Sequence, residues 1–220
     1  MSKQVRLGQA FCSGVALMLF LNTLGYAVDF PFTSTKYHYS ISLPSGWVQI
    51  PDAVVTQQKN RLPPQAQNLI YDAVFQRGNS GTWFSSPYVI VQVIQSGRQP
   101  TEAEFQKFVN VLSGGKLLTK LDGVISSIKD ADDRAKVKSM AQSLSTATIQ
   151  VDVARRKYQF VVNETNQHGT TKTFIYGYFM PDGNLIQLNA YTNANSITHD
   201  LGDFLSISNS LSHIDSQNVE

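Results

Sequence analysis

The chain has 220 residues, 42% of them hydrophobic and 15% charged, with one cysteine and a formal net charge of +2. Its first 27 residues read as an address rather than a fold, and they hold Lys3, Arg6 and Cys12. Without them about 193 residues remain, with 16 basic against 16 acidic side chains and no thiol. That excludes a disulfide, a thiolate nucleophile and any charge-based case for nucleic acid or anionic membranes.

The leader reading rests on a basic start at Lys3 and Arg6, an apolar run from Val15 to Leu21, and small residues at Gly25 and Ala27. The run is short for a bilayer span, so a cleaved secretory signal is expected, with an uncleaved N-terminal anchor as the alternative. Cys12 precedes most of the apolar run, the wrong side for a lipidated cysteine. Residues 28–36 read as a linker, residues 37–214 as a single domain and residues 215–220 as a tail. The length suits one domain with its own core.

Tyr37–Leu43 alternates Tyr37, Tyr39, Ile41 and Leu43 with polar residues, the pattern of a half-buried strand. Pro44-Ser45-Gly46 turns it, and Trp47–Ile50 is expected to pair back as a hairpin. Pro51 opens a short helix over 52–60, stopped by Pro63-Pro64. Strands follow at Tyr71–Arg77 and Pro87–Gln95. Thr101 and Glu104 form a capping box, and Phe105, Phe108, Val109 and Leu112 make one apolar helical stripe. Gly114-Gly115 ends it. Leu117–Ile128 and Val137–Leu144 carry two further stripes. Strand character returns at Thr148–Val153 and Lys157–Asn163.

Lys172–Tyr191 reads as two long strands joined by Pro181-Asp182-Gly183, with glycine at the left-handed position of a bulged turn. Ile186, Leu188 and Ala190 share one face, and Leu185, Gln187, Asn189 and Tyr191 the other. Neither face of the first strand is plainly polar, so both sides of the sheet are expected to be covered. Thr198–Ser212 closes the chain as an amphipathic helix. Helices in blocks between runs of strands predict an α+β fold with an antiparallel sheet.

The segment Tyr39-Ser40-Ile41-Ser42-Leu43-Pro44-Ser45-Gly46-Trp47 resembles the opening of the PsbP-like superfamily. Pro87-Tyr88-Val89-Ile90-Val91-Gln92 resembles its middle, and Gly177-Tyr178-Phe179-Met180-Pro181-Asp182-Gly183-Asn184 with the helix after it resembles its end. The resemblance implies an α/β/α sandwich around a central antiparallel sheet, with an N-terminal β-hairpin and a C-terminal closing helix. Members of that superfamily include photosystem-associated proteins, a nuclear Ran-binding protein and bacterial envelope proteins, which mostly bind other proteins. It implies no shared catalytic residue, and what carries over is the fold rather than a role.

Chemical motifs are incomplete throughout. Ser113-Gly114-Gly115-Lys116 lacks the earlier glycine and the following Ser or Thr of a phosphate loop. Asp130, Asp132 and Asp133 lack the glycine and glutamate of a calcium loop, and suit a helix start. His38, His168, His199 and His213 have no zinc spacing. His199 and Asp200 could join a serine in a triad, but no nucleophile elbow is present. Asn163-Glu164-Thr165 is a glycosylation sequon only in a eukaryotic chain. No cofactor and no metal site are expected.

The remaining candidate is a surface. Arg155-Arg156-Lys157 is the one basic cluster, expected at a sheet edge or turn, where it could either block edge aggregation or anchor an acidic partner. Tyr176 and Tyr178, with Tyr191 further along, could pack under a helix or present a half-exposed aromatic surface. The expected function is a non-catalytic exported binding or accessory domain, periplasmic or secreted. Its expected partner is another envelope or secreted protein, with no nucleic acid and no membrane span after cleavage. The alternatives are an envelope hydrolase with dispersed Ser, His and Asp, and a small-ligand carrier.

Overall fold

The computed structural model describes residues 28–62, 67–78, 81–113, 147, 149–166 and 169–215, with helical positions at 125–126, 131, 134–135, 138 and 142. The expected leader with Cys12, Pro63-Pro64, Gly114–Lys116, Asp130, Asp132, Asp133, His168 and most of the two stripes between Leu117 and Leu144 lie outside the described residues. Among the described residues no helix is long and apolar enough to cross a membrane.

A small antiparallel sheet is built from β1 (Val28–Ser34), β2 (Tyr39–Pro44) and β10 (Ser212–His213), in the order β1-β2-β10. The linker expected over residues 28–36 is corrected here: Phe32 pairs with Ile41 and Ser34 with Tyr39. Pro31 sits in this edge strand opposite Ser42, where proline is tolerated because one side of the strand needs no ladder donor. Phe32 holds β1 in place, its ring 5.1 Å from Phe75 and 6.0 Å from Tyr39.

The large sheet comprises β3 (Trp47–Gln49), β4 (Ile70–Arg77), β5 (Tyr88–Gln95), β6 (Gln150–Asp152), β7 (Lys157–Asn166), β8 (Gly169–Phe179) and β9 (Asn184–Asn193). Its order is β3-β4-β5-β9-β8-β7-β6, and every pairing is antiparallel. The expected hairpin between Tyr37–Leu43 and Trp47–Ile50 does not form. Gly46, at φ 82°, redirects the chain, and Trp47 pairs with Arg77 in the other sheet. Three helices flank the sheets among the described residues: α1 (Asp52–Lys59), α2 (Glu102–Ser113) and α3 (Ile197–Ser210).

Both faces of the large sheet are covered, as its two-sided apolar strands require. On one face Phe75, Val91, Phe174, Ile186 and Leu188 pack with Phe204 and Ile207 of α3 and with Tyr39, Ile41 and Leu43 of β2. On the other, Tyr158, Phe160, Phe179 and Leu185 lie with Phe105 and Val109 of α2. Each such fully buried side chain contributes about 1.5–3 kcal/mol. The layers are those of an α+β sandwich, with α3 closing the C-terminal end.

Gly177 explains how a polar group crosses the second layer. An added Cβ there would stand 2.2 Å from Tyr158 Cζ, so the Tyr158 ring lies directly over the bare backbone of β8. Its hydroxyl thereby reaches β9 and donates to Gln187 Oε1 at 3.0 Å, while Gln187 Nε2 donates to Asn189 Oδ1 at 2.9 Å. Burial pushes the Tyr158 hydroxyl well above the ordinary tyrosine range.

The capping box at α2 forms as the sequence predicts. The Thr101 amide donates to Glu104 Oε2 at 2.9 Å, and the Glu104 amide donates to Thr101 Oγ1 at 3.3 Å. Arg98 joins from outside, its Nη1 2.8 Å from Glu104 Oε2. The Arg98 guanidinium first, then the Thr101 amide and hydroxyl, hold the Glu104 carboxyl well below the usual carboxylate range. The folded chain therefore resists protonation here while the unfolded chain does not. This stabilisation is complete at neutral pH and declines as pH falls below the ordinary carboxylate value of about 4.3. Glu104→Gln is expected to flatten the acid limb of a melting-temperature profile, and an unchanged limb would contradict the assignment.

Candidate functional site

The β6–β7 turn sets the candidate site. The Arg155 amide donates to Asp152 Oδ1 at 3.0 Å, and Arg156 takes the left-handed conformation at φ 55° to complete the reversal. The left-handed corner sends neighbouring side chains in different directions, and the basic cluster is split by it.

Arg156 folds inward. Its Nε donates to Pro100 O at 3.1 Å, and its Nη1 reaches Ala154 O at 3.2 Å and Glu102 Oε1 at 3.4 Å. With 14% of its side chain exposed, it ties the turn to the start of α2. It is a structural brace, not part of an open basic patch.

Arg155 and Lys157 instead line a cleft of about 240 Å³ together with Tyr176, Tyr178, Ser208 and Asn209. Strands β7 and β8 supply its floor, and the C-terminal turn of α3 supplies a wall. Register explains the meeting, since Lys157 pairs with Tyr178 and Gln159 with Tyr176. Lys157 Nζ sits 4.5 Å from the Tyr178 ring centroid, a cation–π contact worth about 0.5–1 kcal/mol at such a site. Burial first, then the neighbouring Arg155 charge, push the Lys157 ammonium below its usual value, with Asp152 opposing. Tyr176 is 6% exposed and forms the floor, and burial pushes its hydroxyl well up. Arg155 is the open member, its side chain 74% exposed and only 3.7 Å from Asp152.

Tyr191 lies elsewhere. Alternation places it on the opposite face, where it stacks on Tyr88 with centroids 4.5 Å apart. There a second cleft of about 350 Å³ is lined by Tyr71, Phe84, Tyr88, Ile90 and Tyr191, with Lys59 at its edge. No sequence motif marks it, because its members come from four separate segments.

The histidine considered for a triad is committed to another cluster. Arg77 Nη1 lies 2.9 Å from His199 Nδ1 and 3.2 Å from Asp203 Oδ2, and Arg77 Nη2 holds Asp200. A guanidinium can only donate, so His199 Nδ1 accepts and the ring proton sits on Nε2. Thr192 Oγ1 donates to the other Asp200 oxygen, and Trp47 Nε1 donates to Asp203 Oδ2 at 2.8 Å. Asp200 is fully buried. Its carboxylate is held by Arg77 and Thr192, and His199 Nδ1 stands 3.5 Å from its Oδ1. Arg77, Thr192, Trp47 and Asp203 escaped sequence reasoning because each is an ordinary strand or helix residue until the fold gathers them.

No protein-family model and no curated protein matches the sequence. Among solved structures the chain is similar to a protein from Bacteroides thetaiotaomicron, at 8% identity and a TM-score of 0.43, covering 88% of this chain and 51% of that one. The chain thus spans about half the length of that protein. It is similar to cyanobacterial PsbP (CyanoP) from Synechocystis, at 12% identity and a TM-score of 0.40, covering 87% of this chain and 95% of that one. It is also similar to the Ran-binding protein Mog1p from Saccharomyces cerevisiae, at 10% identity and a TM-score of 0.40, covering 86% and 96%. At these identities and scores the likenesses carry no argument about family or role.

Proposed function

We propose that this chain is an exported accessory domain that acts by binding another envelope or secreted protein through the cleft at the β6–β7 turn, without catalysis. One observation carries the reading: two cations, Arg155 and Lys157, converge on a tyrosine-floored cleft. They repel one another, and Lys157 is already partly desolvated. An incoming carboxylate relieves that repulsion and gains a guanidinium fork beside a tyrosine ring, the residue types that dominate interface hot spots. The charged start and short apolar run of the leader support export.

Charge reversal tests it. Arg155→Glu is expected to abolish capture of a native partner while shifting the melting temperature by no more than a few degrees, because exposed substitutions rarely cost more than about 0.5 kcal/mol. Arg61→Glu, on an exposed turn after α1, serves as the remote control and should leave capture intact. Capture indifferent to Arg155→Glu would reject this cleft.

A small-ligand carrier is the second reading, favoured by the aromatic cleft at Tyr71, Phe84, Tyr88 and Tyr191. Its volume of about 350 Å³ falls within the range of small-molecule sites.

A further inference from the structure

We infer that the cleft is one end of a longer groove, which takes an extended protein segment bearing an acidic residue at each end of a short alternating apolar stretch. This rests on the binding reading above and names the chemistry of the partner. A cavity of about 400 Å³, lined among others by Val161, Phe174, Leu201 and Leu205, adjoins the cationic cleft and shares Gln150, Gln159 and Tyr176 with it. Its floor is the face of β7 and β8 beside α3, and its wall is apolar, with Leu205 36% exposed.

The charges on that face stand at its two ends. Side chains two apart on a strand share a face, so Lys172, Phe174, Tyr176 and Tyr178 of β8 lie in one row. Lys157 is opposite Tyr178, and Lys172 is opposite Asn163, six residues further along β7. At the rise of a strand that is about 20 Å. Between the two lysines the face carries Phe174, Tyr176 and Val161, with Gln159 as its polar member. Asp152, the acidic group at the first mouth, is engaged by Arg155. An extended segment laid along this face presents every second side chain to it. Acids at its first and seventh positions meet the cations, and apolar residues at the third and fifth lie against Val161, Leu201 and Leu205, above a floor made by the buried Phe174 and Tyr176.

The test uses the full mature chain and a fluorescent heptapeptide, Asp-Thr-Leu-Thr-Val-Thr-Asp, with a second peptide whose final acid is moved to the sixth position. Fluorescence anisotropy is expected to show binding of the first peptide that weakens at least fivefold with Arg155→Glu, with Lys172→Glu and with the shifted acid. Circular dichroism confirms that each variant is folded, and Lys172→Gln provides a milder variant. No binding of the first peptide, or equal binding of the two peptides, overturns the inference. Loss with Arg155→Glu but not with Lys172→Glu or Lys172→Gln also overturns it, and leaves the single-mouth reading to be decided by native capture.

Discussion

Asp200→Ala is expected to destabilise the domain by about 3–5 kcal/mol, because it removes the fully buried member of a charge pair and takes that carboxylate from both Arg77 and Thr192. Asp200 has no exposed surface, and its two oxygens satisfy Arg77 and Thr192 on β4 and β9. The pair joins the first turn of α3 to two non-adjacent strands, so the loss acts on the closure of the whole layer. Arg77 keeps Asp203 and His199 as partners, which holds the effect within that range. Arg77→Met combined with Asp200→Leu should lose less than the two single replacements together, since no charge is then left without a counterpart. Denaturant midpoints measure both. A change below about 1 kcal/mol for Asp200→Ala would mean that the network contributes little. Domain stabilities are about 5–15 kcal/mol, so the expected loss is a large fraction of the whole.

Gly183→Val should be the second severe change, at about 2–5 kcal/mol. Gly183 sits at φ 88°, where a side chain is strained whatever space surrounds it. There is also no space, because a Cβ would meet Arg98 N at 2.4 Å and Gly97 C at 2.6 Å. The turn is clamped there by the Ser96 amide, which donates to Gly183 O at 3.0 Å. Backbone strain alone, the only part visible in the sequence, accounts for about 1–2 kcal/mol, and displacement of residues 96–98 adds the rest. A melting temperature unchanged by Gly183→Val would show that the turn relaxes in a way the packing does not allow.

Period and turn chemistry make most of the sheet legible in the sequence. Ile186, Leu188 and Ala190 face one layer and Leu185, Gln187 and Asn189 the other, as alternation requires. Thr101 with Glu104 announced α2, and Pro181-Asp182-Gly183 announced the hairpin. The misreadings share one cause, which is that pairing partners are tertiary. Val28–Ser34 contains a proline and lacks clean alternation, yet a free edge of β2 recruits it. Trp47 follows a good turn, but Arg77 and Asp203 draw it into the other sheet.

The site was legible in composition and not in direction. Arg155, Arg156 and Lys157 are consecutive, and no spacing rule reveals that a left-handed corner at Arg156 turns one guanidinium inward to Pro100 while its neighbours line a cleft. Tyr176 and Tyr178 share a face by alternation, but only the position of α3 makes one a floor and the other a rim.

Site-specific photocrosslinking tests recognition at the cleft most directly. A photoreactive phenylalanine analogue is placed at Tyr178, at the rim, and in a separate protein at the exposed Gln58 of α1. Each protein is irradiated in its native compartment. One discrete adduct is expected from position 178, lost when Arg155→Glu is added, and none from position 58. Adducts from position 58 alone, or a 178 adduct indifferent to Arg155→Glu, would contradict it.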